Sequence, residues 1–380
     1  ASDVYKRQPY KQKVIGGFMK LLLLATWILL LFGCEDNQEK NLSGSADTSK
    51  QKFEWKMVTT WPKNYPGLGL GAENFANKVE AMSAGRLKIK VFGAGQLVPA
   101  FEVFDAVSQG TAEMGHGAAY YWTGKSKAAA FFTAIPFGLN AQEMSSWIHY
   151  GGGLELWREL YEEFNLVPFA AGNTGVQMTG WFNKEIKSIE DIKGLRMRTP
   201  GLGGDVITRA GGIAVTISGG ELYTAMQTGV IDALEWVGPY NDLAFGFHQI
   251  AKYYYYPGWS EPGPALELLV NKDAFETLPE DLKAIVETAA RAVNQDVLDE
   301  YTARNNEALV SLIEEHGVQL KKLPDDVVRE LRRISEEIIE EIASDSEIAR
   351  RIANSIQSFQ KQAAAYHAIS EEAYYEARRK

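Results

Sequence analysis

The chain of 380 residues reads as an α/β protein of two lobes with a ligand cleft between them and long helices towards its C-terminal end. Three observations carry that expectation. Strand-like and helical runs alternate from Phe53 onward, the rhythm of helices covering mostly parallel strands. Two segments, FDAVSQGTAEMGH (104–116) and YTAMQTGVIDALE (223–235), repeat the same order of aromatic, alanine, glycine and acid. Each reads as a helix end, a glycine suited to the left-handed C′ position and a short strand, so one construction recurs in two lobes. From Leu278 the composition turns Ala- and Glu-rich with helical periodicity.

Taken in order, MKLLLLATWILLLFGC (19–34) has a Met-Lys start and an apolar run of signal-peptide length, too short to span a bilayer. Residues 1–18 precede that start and read as foreign to the mature protein. Leu31-Phe32-Gly33-Cys34 resembles the lipobox of exported lipoproteins, so Cys34 is expected to carry a lipid anchor. It is the single cysteine of the chain, which excludes an internal disulfide. The polar stretch 35–52 reads as a flexible tether. FEWKMVTT is then a strand, Gly71 to Met82 a helix, LKIKVF (87–92) a strand and Pro99 to Gln109 a helix opened by proline. Lobe 1 is assigned to 53–172 with a return near 263–300, lobe 2 to 173–262. Helices over 278–380, broken at Gly317 and Pro324, brace the lobes or meet another subunit.

A formal net charge of -10 argues against a nucleic-acid partner. The chain has no Walker loop and no His-Glu-x-x-His, and its five histidines are scattered. Gly258-Trp259-Ser260 begins like a nucleophile elbow, but Pro262 stands where that motif needs glycine. Nothing points to an enzyme.

Polar groups do recur where a cleft would lie. Glu235, in ALEWVGPYND, is an acid in an apolar run, and a buried carboxylate demands a cation or strong donors. By the repeat it matches His116 near the carboxyl end of a strand, where open α/β sheets bind ligands. Arg198 offers a guanidinium fork for a carboxylate, or is an ordinary salt-bridged arginine. Asn173 and Gln177 precede an aromatic pair and could equally satisfy turn backbone. His116 reads as readily as a satisfied turn residue, and Trp181 as core.

Together, FGAGQLVP, AVSQGTAEMG, IKGLRMRTPG, YTAMQTGVIDALEW and LLVNKDAF resemble the solute receptors of the tripartite ATP-independent periplasmic (TRAP) transporters, from about Phe53 to about residue 320. The nearest resemblance is to the subgroup binding 2-oxo or 2-hydroxy monocarboxylates with a metal ion. That resemblance implies a two-lobed periplasmic-binding-protein-like fold in which Arg198 clamps the carboxylate. Gln177 and Glu235 would be metal ligands, Trp236 would add its carbonyl, and Tyr120, Asn173 and Gln177 would contact the substrate. Glu261 would lie beside metal or ligand. The cation would be Na⁺ or Ca²⁺, both of which take oxygen ligands, with no organic cofactor. The implied partners are a small carboxylate and integral-membrane TRAP carrier subunits, in the periplasm, with Cys34 tying the receptor to a membrane; the C-terminal helices permit a homodimer. A C4-dicarboxylate or sugar-acid receptor, a metal-dependent enzyme acting on a 2-oxo acid and a sensory module stay open. Arg198→Ala is expected to abolish binding and leave the melting temperature nearly unchanged.

Overall fold

The computed structural model describes residues 51–379; the signal segment, Cys34 and the tether up to residue 50 lie outside the described residues. β1 (Phe53–Thr59) ends in three buried residues, Met57, Val58 and Thr59. α1 (Leu68–Met82) turns Leu68, Ala72, Phe75, Ala76 and Val79 inward, the spacing of one helical face. β2 (Leu87–Phe92), α2 (Val103–Ser108) and β3 (Met114–Gly117) follow. α3 (Ala141–Tyr150) starts at a capping box: Glu143 N–H donates to the Asn140 side chain and Asn140 N–H to the Glu143 carboxylate. α4 (Gly153–Tyr161) and β4 (Leu166–Asn173) complete this part.

The chain then crosses over. β5 (Gly180–Phe182), β6 (Arg196–Arg198), α5 (Gly201–Arg209), β7 (Ile213–Val215), α6 (Leu222–Gln227), β8 (Ala233–Leu234), α7 (Pro239–Phe245) and β9 (Tyr253–Tyr256) build a second lobe. β10 (Ala265–Asn271) returns to the first, followed by α8 (Lys272–Glu276) and the 35-residue α9 (Glu280–Glu314). β11 (Gln319–Lys322), α10 (Asp325–Ala343), α11 (Glu347–His367) and α12 (Glu371–Arg379) close the chain. No described helix is long and apolar enough to cross a membrane.

Two sheets result, in the orders β2-β1-β3-β10-β4 and β11-β9-β5-β8-β6-β7. The strands are more mixed than the expected, mostly parallel arrangement. β1 with β2, β1 with β3, β6 with β7, β6 with β8 and β9 with β11 are parallel. The four antiparallel pairings all involve β10 or β5. Those are the strands that enter each sheet from the opposite lobe, so they run against strands built by strand-helix-strand units. β11 lies in a stretch that read as a break between helices; QLKK is a polar edge strand with no apolar alternation to announce it.

α9, about 52 Å long at the ordinary helical rise, ties the lobes together. Its stripe of Leu282, Val286, Ala289, Val293, Val297 and Tyr301 is buried. It packs on α1 and β4 of the first lobe and on α7 of the second. The repeated segments have matching local form: α2, left-handed Gly110 and β3 in one lobe, α6, left-handed Gly229 and β8 in the other. The chain leaving β3 and β8 brings Tyr121 and Glu235, one from each lobe, to Arg198.

Candidate functional site

Arg198 is the last residue of β6, and Glu235 follows directly after β8, the strand paired with β6. The Glu235 N–H donates to the Arg198 carbonyl at 2.8 Å, which fixes the two backbones side by side. Both side chains are sealed from solvent, Arg198 at 1% and Glu235 at 0% exposure. Pro239 at the first position of α7 ends the extended run and turns the chain away behind Trp236.

Two loops close the site from the other side. Gln177, between β4 and β5, donates its N–H to the Glu261 carbonyl at 3.1 Å, and Met178 N–H donates to the Val237 carbonyl at 3.0 Å. A Cβ on Gly258 would come within 2.0 Å of the Gln177 carbonyl oxygen, so glycine lets the 177 and 258 loops touch. Tyr120 and Tyr121 arrive from the first lobe on the short helical turn Ala119–Trp122 after β3.

The polar atoms gathered here are unbalanced. Arg198 Nη1 donates to the Glu235 carbonyl at 2.6 Å and lies 3.3 Å from Glu235 Oε2; Nε reaches the Ile217 carbonyl at 3.2 Å and Nη2 the Tyr121 hydroxyl at 3.4 Å. The Trp236 ring covers the guanidinium with 5.0 Å to its centroid. Gln177 Nε2 donates to Thr174 Oγ1 at 3.0 Å. Gln177 Oε1, Glu235 Oε1 and both Glu261 carboxylate oxygens are buried without a well-formed hydrogen bond, the Tyr120 hydroxyl being a donor within reach of Glu261. Buried acceptors left this poorly satisfied are costly in a dry interior, and a hard cation is the group that would satisfy them together. Among the described residues no cluster of three or more His, Cys, Asp or Glu could hold a metal, so such a cation would need the Gln177 amide, backbone carbonyls and the ligand itself in addition to Glu235 and Glu261.

Burial, followed by the charge of Glu261, drives the Glu235 pKa well above the carboxylate range, with Arg198 opposing. Burial pushes Glu261 up to about 8, although Arg198 and Tyr120 favour its charged form. Both groups then bind protons more tightly folded than unfolded. That contribution to stability is complete below the unfolded pKa near 4.5 and is lost as pH rises through each folded pKa, about 8 for Glu261. Glu267, at about 8, and Asp242, at about 7, act with the same sign. The ligand-free protein is therefore expected to melt lower at pH 8 than at pH 5.5. Glu261→Gln should flatten part of that slope, and an equal slope in the variant, followed by circular dichroism, would contradict the assignment.

The other expected site residues divide. Asn173 is buried, but its side chain serves its own loop: Nδ2 donates to the Gly263 carbonyl at 3.0 Å and Oδ1 accepts from Gly175 N–H at 2.8 Å. That leaves one amide proton for any ligand. His116 is a satisfied core residue. Trp61 Nε1 donates to its Nδ1 at 2.8 Å and its Nε2 lies 3.0 Å from the Ala171 carbonyl, while burial lowers its pKa to about 4. Trp181 stacks on Tyr254 at 4.1 Å and donates to Asp242 Oδ2 at 2.9 Å, so it too is core. Arg196, on the same face of β6 as Arg198, pairs with Asp232 through two guanidinium bonds and takes no part.

Residues missed in the sequence complete the walls. Tyr121 meets Arg198, Trp61 sets its ring edgewise to Trp236 at 6.5 Å, and Tyr65 stacks on Phe245 at 4.5 Å across the lobe boundary. Asn241 joins the lobes by donating to the Pro66 carbonyl at 3.0 Å and accepting from Tyr65 at 2.8 Å. Beneath each wall sits a buried carboxylate holding one indole and one phenol. Asp242 accepts from Trp181 and Tyr254, and Glu267 from Trp122 and Tyr161. Glu267 thereby anchors the turn that carries Tyr120.

The lobes also approach closely at Gly201. Its φ is +58°, and a Cβ there would stand 2.9 Å from Tyr120 Cβ. Gly201→Ala is expected to strain the left-handed residue and hold Tyr120 off, weakening ligand binding by roughly tenfold at about 1.4 kcal/mol. Unchanged affinity by calorimetry would show that this contact does not limit closure.

The chain is 43% identical over 351 residues to a monocarboxylate 2-oxoacid-binding periplasmic protein of Nostoc sp., covering 92% of this chain and 95% of that one. A solute-binding protein of Pseudoalteromonas atlantica T6c, solved with sodium and pyruvate, superposes with a TM-score of 0.84 at 41% identity, over 86% of this chain and 99% of the other. One from Colwellia psychrerythraea, solved with calcium and pyruvate, gives 0.84 at 41%, over 86% and 100%. The family model for the bacterial extracellular solute-binding proteins, family 7 (DctP), matches residues 57–346. With that span and those relatives, the chain belongs to the DctP family of TRAP solute-binding proteins.

Proposed function

We propose that the protein is a receptor that closes on a small 2-oxo or 2-hydroxy monocarboxylate, such as pyruvate or lactate, together with one hard cation, and presents it to a membrane carrier. The observation that carries this reading is the sealed cluster of orphaned oxygens on Gln177, Glu235 and Glu261 around Arg198. Arg198 binds the ligand carboxylate, and Tyr120 and the remaining Asn173 proton orient it. Gln177 Oε1, Glu235, Glu261 and the Trp236 carbonyl would hold the cation. When bound, it supplies positive charge for groups that otherwise repel one another. The relatives solved with pyruvate and either sodium or calcium support the same ligand set.

Charge favours a monocarboxylate over a C4-dicarboxylate. Two glutamates and one ligand carboxylate already bring three negative charges against Arg198, the one arginine in the buried set of the described residues. A divalent ion balances that total, and a monovalent ion does so if one glutamate keeps a proton. A second ligand carboxylate would have no partner. Export by the 19–34 segment and lipid attachment at Cys34 complete the reading from the sequence side.

Calorimetry on chelator-treated protein tests it. Pyruvate is expected to bind one to one only when Na⁺ or Ca²⁺ is present, with succinate silent. Cation-independent binding of pyruvate, or product accumulating in the cell by NMR, would overturn the receptor reading in favour of a different site or of an enzyme.

A further inference from the structure

In the main site most of the unpartnered buried atoms are acceptors. On the first lobe the reverse arrangement occurs. The end of α3, α4, β4 and α9 line a half-open cavity of about 230 Å³ whose floor is Leu154, Phe169, Ala170 and Ala290. Its rim carries His149, Arg158, Arg291 and one acid, Glu287. Arg158 lays its guanidinium over Phe169, 5.2 Å from the ring centroid, and spends Nη2 on Glu287 at 3.1 Å. Its Nε is buried and donates to nothing. Arg291 sits over the Tyr150 ring at 5.9 Å and forms no ion pair among the described residues. Burial, then Arg291 and Arg158, hold the His149 pKa down to about 4, with Glu155 the acid that opposes them.

From this the geometry points to a second binding site, on the outer face of the first lobe, for a small organic anion with an apolar body. The arginines supply fork-shaped donors, of which Arg291 is the uncommitted one. The apolar floor gives the body of the ligand a surface that inorganic phosphate cannot use. At about 30 Å³ per water the cavity has room for roughly eight waters, the size of a small aromatic or branched aliphatic acid and well short of a nucleotide. An anion seated there would sit against His149 as well and favour its charged form, so binding would take up a proton and strengthen as pH falls.

The test follows the His149 ring by NMR, assigned with a His149→Gln variant, because none of the groups acting on that ring belongs to the Arg198 cluster. Benzoate is the probe. Its addition is expected to move the His149 resonances saturably and to raise the titration midpoint by about one pH unit or more. Arg291→Ala, at an exposed position, is expected to weaken benzoate by roughly tenfold or more while leaving the melting temperature and cation-dependent pyruvate binding as they are. An unmoved midpoint at about 20 mM benzoate, far above a millimolar dissociation constant, would overturn the site. So would an equal shift in Arg291→Ala. Inorganic phosphate saturating as tightly as benzoate would overturn the assignment to an organic anion.

Discussion

Arg198→Lys is expected to weaken monocarboxylate binding by about a hundredfold or more, roughly 3 kcal/mol, within the cost of spoiling one partner of a buried, hydrogen-bonded charge pair. Lysine keeps the charge against Glu235 and Glu261 but is a point donor on a flexible stem. Arg198 is not spare in the way a simple clamp would be. Its Nη1 already serves the Glu235 carbonyl, its Nε the Ile217 carbonyl, and its face is covered by Trp236. Those bonds aim the remaining donors, and an ammonium cannot make them and reach the ligand too. They also correct the expectation that Arg198→Ala leaves stability untouched. Alanine would remove the cation that favours the charged forms of Glu235 and Glu261 and leave the Glu235 and Ile217 carbonyls without their donor, so a loss of stability is expected. A lower melting temperature in Arg198→Ala, with Arg198→Lys folded but weak in calorimetry, is the expected pattern. Near-native affinity in Arg198→Lys would show that charge alone, without the fork, selects the ligand.

What could be read in the sequence was what backbone periodicity and isolated chemical conflict reveal. The repeated helix, glycine and strand announced two lobes, and Glu235 announced itself as an acid among apolar neighbours. The same signal stood in ALELLVN, where Glu267 interrupts a fully buried strand, and it marks an anchor for Trp122 and Tyr161 rather than a ligand. A conflict of this kind says that a partner exists, not which partner. His116 shows the converse. The repeat placed it correctly at a strand end, but two neutral hydrogen bonds, from Trp61 and with the Ala171 carbonyl, absorb both ring nitrogens. Those partners lie 55 positions away on either side, beyond any local pattern. Tyr121 was hidden for a different reason. In a short helical turn successive side chains diverge, so nothing in AYYW tells which tyrosine faces the ligand; here Tyr121 meets Arg198 while Tyr120 acts on Glu261. Asn173 was both a candidate ligand contact and a candidate turn residue, and its two loop bonds show that one residue can begin as the second and keep a single proton for the first.

Glu235→Gln should move stability and binding in opposite directions. In the free protein Glu235 is a buried carboxylate with one oxygen unpartnered and a pKa raised by burial and by Glu261. Above the unfolded pKa, folding must either bury its charge or take up a proton, and a neutral amide does neither. The variant is therefore expected to melt higher than the parent at pH 8, with the difference shrinking towards pH 5, where the parent side chain is already neutral in the folded state. Binding fails for a geometric reason. Glutamine has one carbonyl oxygen, and the carboxylate here faces Arg198 with Oε2 and the orphaned cluster with Oε1. If the amide oxygen turns to Arg198, its NH₂ points at the cation; if it turns to the cation, the NH₂ opposes the guanidinium. Cation and monocarboxylate are expected to weaken together, by about a hundredfold, because each neutralises charge that the other needs. Melting curves across pH 5–8 and calorimetry with pyruvate in Na⁺ or Ca²⁺ give the two readouts. A variant that loses its cation but keeps pyruvate at full affinity would break the shared cage. One that melts lower at pH 8 would mean that the parent glutamate is already well paired, and the demand for a cation would then have to come from Glu261 and Gln177.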